Sequence, residues 1–161
     1  MAVAADDRRA VRKEERMRMQ WNLGHDEAHV AIDVIRAELA RRNQAAVIAV
    51  ADADGELVAL LRLDAAPASS IAVACSKART AARLRRPTRA LGESLRARGA
   101  DSAWYGDTGF TGWSGGMPVI VNGNVVGAVA VSGLTEDEDV ELAALGVAAA
   151  TRATASAPGT R

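Results

Sequence analysis

His25 and His29 are the only histidines in the chain, and they stand one helical turn apart. On a helix that spacing puts both rings on one side. A neutral imidazole there can ligate a metal, and either ring can exchange a proton near neutral pH. Two such ligands need a third, and Asp26, Glu27 and Asp107 are the acids available to complete the set. The plainer reading is one partly buried helix histidine and one solvated one.

A second concentration of chemistry lies at residues 104–114, WYGDTGFTGWS. Four of the five aromatic residues of the protein, Trp104, Tyr105, Phe110 and Trp113, fall there, and Met117 follows closely. Tryptophan and tyrosine supply flat apolar walls with polar tips, and glycine lets backbone N–H groups approach a ligand. The stretch reads as a pocket for a planar or small organic molecule, or as a loop packed on the core or in a subunit interface. Asp107 can orient a hydrogen bond or act as a base, or simply form a turn.

Residues 77–98 carry Lys77, Arg79, Arg83, Arg85, Arg86, Arg89, Arg96 and Arg98 against one acid, Glu93. Guanidinium forks bind carboxylates bidentately, so this segment can hold a carboxylated ligand. It can equally be a solvated face paired with the acidic run 136–141. Cys75, alone among Ala and Val, reads as an inert thiol. Ser114 lacks the G-x-S-x-G frame of a serine hydrolase.

The elements that must position these groups follow from periodicity. Ala28, Ile32, Ile35 and Leu39 form a stripe that predicts a helix over 24–43 with His25 in line with it. The apolar run 46–51, a turn at Asp52-Ala53-Asp54-Gly55 and residues 57–63 predict a hairpin. Ser69 or Ser70 can cap a helix reaching Leu84. Pro87-Thr88 stops that helix and starts a shorter one with Leu91 and Leu95 inward. Residues 117–121 and 125–132 flank Asn122-Gly123, a type I′ hairpin signal. Thr135 and Glu138 form a capping box before a last helix whose first turn is acidic. The order is α-β-β-α-α-β-β-α, an α+β fold with an antiparallel sheet and flanking helices. A further strand is possible in the glycine-rich loop. Residues 1–20 read as a charged arm, 21–150 as one domain, and 151–161 as a disordered tail.

Length and charge exclude several classes. The 161 residues make one domain, and 20 Lys+Arg balance 20 Asp+Glu, so charge does not favour a nucleic-acid partner. No apolar run of membrane-spanning length occurs, which predicts no membrane partner and a cytoplasmic location. One cysteine permits no internal disulfide.

Four pieces occur in order: VADADGELVA at 50–59, KARTA at 77–81, GGMPV at 115–119, and GAVAVSG at 127–133 followed by an acidic helix start. Together they resemble the GlcG/HbpS family, which includes the C-terminal domain of PduO-type proteins. The resemblance spans roughly residues 23–150. It implies a profilin-like, PAS-like fold, assembly into a homo-oligomer, and haem binding in several members. It further implies His25 or His29 as an axial ligand, Trp104, Tyr105, Phe110, Trp113 and Met117 as walls, and Arg79 as a propionate partner. The 104–114 stretch is more aromatic than the family pattern, which keeps a second reading open. That reading is an enzyme acting on a small organic molecule, with His29 and Asp107 doing acid–base work. Both readings require the first helix's imidazoles and the aromatic loop to converge on one cavity, within a protomer or between neighbours.

Overall fold

The computed structural model describes residues 20–156. Apart from Gln20, the charged arm lies outside the described residues, as does 157–161. The elements are α1 (His25–Arg41), β1 (Val47–Asp52), β2 (Leu57–Arg62), α2 (Ser70–Leu84), α3 (Thr88–Arg98), β3 (Gly116–Val121), β4 (Asn124–Ser132) and α4 (Glu136–Ser156). This is the order read from the sequence. A short 3-10 turn, Ser102–Tyr105, sits in the glycine-rich loop, where no additional strand forms among the described residues. The last helix continues to Ser156, beyond the boundary expected at residue 150.

The four strands form one antiparallel sheet in the order β2-β1-β4-β3. Its two faces are built from different residues. On one face Ile48, Val50, Val129 and Val131 pack against Ile32, Ile35 and Leu39 of α1 and Leu142 of α4. Each such side chain contributes about 1.5–3 kcal/mol by leaving water. On the other face Ala49, Ala51, Ala128 and Ala130 meet Ala74, Ala78, Ala81 and Ala82 of α2. Successive strand residues point to opposite faces, so the alternation over 48–51 and 128–131 sorts small from large, with Val47 the larger side chain on the alanine face. Alanine on both sides lets α2 lie close to the sheet without large side chains between them.

Local signals explain most boundaries. Asn122 (φ 50°) and Gly123 (φ 77°) both take positive φ, as a type I′ hairpin requires. Thr135 N–H donates to Glu138 Oε2 at 3.1 Å, and Glu138 N–H donates back to Thr135 Oγ1 at 3.4 Å. The serine cap expected on α2 is absent. Ser69 already has helical dihedrals and makes no side-chain cap bond, and the Ser70 N–H donates to the Pro67 carbonyl in a preceding turn. At α1 the Glu27 carboxylate accepts the Gly24 N–H at 3.0 Å, half of a capping box that serves without a hydroxyl.

Candidate functional site

The aromatic loop leaves α3 at Gly99, whose left-handed backbone (φ 61°) ends the helix. It then crosses α2 and α3 on the alanine face of the sheet. Asp101 Oδ1 accepts the Ala103 N–H at 2.7 Å and nucleates the 3-10 turn that presents Trp104 and Tyr105. Further on, Thr111 N–H donates to Thr80 Oγ1 of α2 at 3.0 Å. A Cβ on Gly92 of α3 would run into the Gly112 carbonyl, so that crossing requires glycine. At β3, Thr88 Oγ1 accepts the Gly116 N–H at 3.0 Å in a buried setting.

Four charged residues clamp the middle of the loop. Asp107 Oδ2 accepts from Arg79 Nε and Arg83 Nη1, each at 3.0 Å, while its Oδ1 accepts the Gly109 N–H at 2.9 Å. The same two arginines donate to Glu56 Oε1 at the end of the β1–β2 turn. The Gly109 N–H, helped by Arg79 and Arg83, holds the Asp107 carboxyl below its ordinary range. A carboxylate so held is a weak base, and its oxygens are already occupied.

Beside the clamp lies an open hollow of about 330 Å³ lined by Leu95, Arg98, Ala100, Asp101, Trp104 and Tyr105. Its size falls at the low end of small-molecule sites. The Trp104 indole stands 79% exposed. Phe110 braces Tyr105 edge-on, with ring centroids 5.9 Å apart. Arg86 Nη2 donates to the Tyr105 hydroxyl oxygen at 3.0 Å. Arg98 donates from Nε to the Ser94 carbonyl at 3.2 Å, and among the described residues no carboxylate is paired with it. The hollow therefore offers two aromatic walls, the Arg98 guanidinium, which makes no ion pair, and the Asp101 carboxylate.

The other expected site residues lie elsewhere. Trp113 is exposed further along the loop and does not line this hollow. Met117 packs against the core on the α1 and α4 face. Arg79 is held in the clamp. His25 and His29 stand one turn apart at the start of α1, with ring centroids 6.4 Å apart. Both are exposed; the stripe that His25 was expected to extend is completed by buried Leu23 and Ala28. Within one chain the sheet lies between α1 and the aromatic loop, and neither imidazole lines the hollow beside Trp104. No cluster of three or more His, Cys, Asp or Glu suited to a metal occurs among the described residues.

The basic segment supplies part of the expected pairing with the acidic run, and two of its arginines are taken by the chain's own carboxylates instead. Lys77 and Arg89 pair with Asp139 and Asp137 of the acidic helix start, while Arg79 and Arg83 clamp the loop. Cys75 is half-buried, and burial pushes its thiol up, as fits an inert residue. Arg98 was legible as a basic residue, but its place in the hollow was not. The available signal was its position three residues after inward-facing Leu95, on the same side of α3.

A family model described as haem degrading protein HbpS-like matches residues 23–148. The chain belongs to the HbpS-like family. Protein GlcG of Escherichia coli K12 is 34% identical over 116 residues, covering 72% of this chain and 85% of GlcG. Among solved structures, Klebsiella pneumoniae ORFY aligns with a TM-score of 0.78 at 25% identity, covering 84% of this chain and 94% of ORFY. Streptomyces reticuli HbpS, crystallised as a double mutant, aligns at 0.75 and 26% identity, with 82% and 89% covered. A PduOC chain crystallised with haem shares the fold at a TM-score of 0.73 and 21% identity, with 80% and 94% covered. In this HbpS-like chain, the motifs of the resemblance meet in space. Lys77 of KARTA, the paired glycines of GGMPV and Asp139 of the acidic helix start converge where the aromatic loop enters β3.

Proposed function

We propose that the protein binds haem or a related planar carboxylated ligand at the hollow beside Trp104 and Tyr105. The observation that carries this reading is the pairing of those two aromatic rings with the unpaired Arg98 guanidinium on a loop clamped by Asp107. The family description and the haem-bound neighbour of the same fold support haem as the ligand. The residues present fit it in part. Trp104 and Leu95 offer apolar area for a porphyrin edge, Arg98 suits a propionate, and Tyr105 brings an oxygen donor. The hollow is open on one side, and a second copy of the chain is a natural cover in a homo-oligomer. Bound haem supplies a redox-active iron centre, suited to storage, sensing or degradation roles.

The enzyme reading has less support. His29 and Asp107 lie on opposite faces of the sheet and do not form an acid–base pair within one chain. Location is best read from the sequence as cytoplasmic. Among the described residues no helix is long and apolar enough to cross a membrane.

Titration of the full chain with hemin, followed by the Soret band and by quenching of tryptophan fluorescence, tests the proposal. We expect saturable binding that weakens about tenfold or more in Trp104→Ala and in Arg98→Ala, since each tenfold loss corresponds to about 1.4 kcal/mol. Affinity unchanged in both variants would remove the hollow from consideration.

A further inference from the structure

We infer that the outward face of α1 is an interface with a second copy of this chain, the two helices packing antiparallel about a two-fold axis beside Val34. This surface lies across the sheet from the hollow, and the inference does not depend on the ligand reading. It starts from a second apolar stripe on α1. Ala28, Ala31, Ile32, Ile35 and Leu39 face the core and are buried. Val30, Val34 and Ala37 follow one another at i, i+4 and i+7 on the opposite side of the helix, and all three are exposed. Val30 stands 42% and Val34 36% exposed. A β-branched residue loses side-chain freedom in a helix, and at a solvent-facing position no packing within the chain offsets that loss. A helix with an apolar stripe on two sides is suited to burial on both. The neighbouring α4 adds to the patch. Ile35 fills the space that a Cβ on Gly146 would take, and Leu145 beside that glycine is exposed.

Charge selects the occupant and its direction. The acids Asp26 and Asp33 precede Val34 along α1, and Arg36 and Arg41 follow it. The Asp26 side chain is 86% exposed, with His25 3.3 Å away as its partner. The Arg41 side chain is 71% exposed and shares the Glu38 carboxylate with Arg42. A parallel copy would set acid against acid. An antiparallel copy sets Asp26 opposite Arg41 of the partner subunit, Val30 opposite Ala37 of the partner subunit, and Asp33 opposite Val34 of the partner subunit. These pairings share one register, with the axis between residues 33 and 34. Under two-fold symmetry each of them occurs twice. The same arrangement places the positive end of each helix dipole by the negative end of the other. The 17 residues of α1 span about 25 Å, so the seam runs along the domain rather than touching at a point. The valines supply the apolar area, and the exposed ion pairs set direction more than affinity.

Sedimentation equilibrium of the full chain tests the interface. Wild type is expected to form an oligomer with an even number of subunits. Val30→Arg with Val34→Arg should weaken association about a hundredfold or more, with circular dichroism unchanged because both positions already face solvent. Asp26→Arg and Arg41→Glu should each weaken association about tenfold, and the two changes together should restore most of the wild-type affinity. A wild-type chain that stays monomeric at every concentration overturns the inference and leaves residues 1–19 or a different protein to cover the stripe. An unchanged mass in the valine variant also overturns it, by moving the assembly to another surface. If both single charge changes weaken association and the double exchange does not recover it, the antiparallel pairing is overturned.

Discussion

Lys77 of α2 and Asp139 of α4 form an ion pair, Nζ to Oδ2 2.8 Å, with both side chains 3% exposed. The two helices cover opposite faces of the sheet, so this contact joins the layers past the end of β4. The same ammonium donates to the Val131 carbonyl at 2.9 Å, and Asp139 Oδ1 accepts the Leu134 N–H. Burial pushes the Asp139 carboxyl up, against the pull of Lys77. Geometry and hydrogen bonding nonetheless mark the pair as charged.

Removing one partner strands the other as a buried charge. Asp139→Asn should therefore destabilise the fold by about 3–5 kcal/mol. The double change Lys77→Met with Asp139→Leu, which leaves no charge behind, should recover much of that loss. Urea denaturation followed by circular dichroism measures both. A loss below about 1 kcal/mol in Asp139→Asn would show that the pair carries little of the joint between layers.

The crossing of α3 and the aromatic loop depends on absent side chains. A Cβ at Gly92 would overlap the Gly112 carbonyl, a backbone atom that cannot swing aside. Gly92→Ala should displace the loop at a cost of about 1–3 kcal/mol, the usual range for overpacking. Gly123→Ala meets open space and is strained only by its positive φ, so it should leave the loop in place. Hydrogen exchange at residues 109–113 distinguishes the two. Protection there unchanged in Gly92→Ala would contradict this account of the crossing.

Acid should release the loop clamp. Asp107 has a lowered folded-state pKa, so the native state binds fewer protons there than the unfolded chain does. Its contribution is complete above the ordinary value of 3.8 and is lost as pH falls through the lower folded value. Asp139 has the opposite sign, because a raised carboxyl favours the fold more at low pH than above its folded value. Tryptophan fluorescence should therefore report loop release below about pH 4. Asp107→Asn at neutral pH should resemble the acid form, and an acid transition that persists unchanged in that variant would assign it to other groups.

Much of the architecture was determined by the sequence alone. The apolar runs 46–51 and 125–132, the Asn122-Gly123 turn and the Thr135 capping box are local signals, and each appears in the structure with the expected geometry. The order of elements follows from them, whereas the pairing of β1 with β4, about eighty residues apart, is a tertiary contact. The site was decided only by tertiary structure. His25 and Leu39 share a helical stripe in sequence, yet Leu23 and Ala28 take the buried positions at that end of α1, and the His25 ring is left in solvent. Arg79, Arg86 and Arg98 are chemically alike in the chain. One is spent on Asp107, one on the Tyr105 oxygen, and one faces the hollow unpaired. Arg79 and Arg86 meet oxygens 28 and 19 residues away, and periodicity carries no information about such distances.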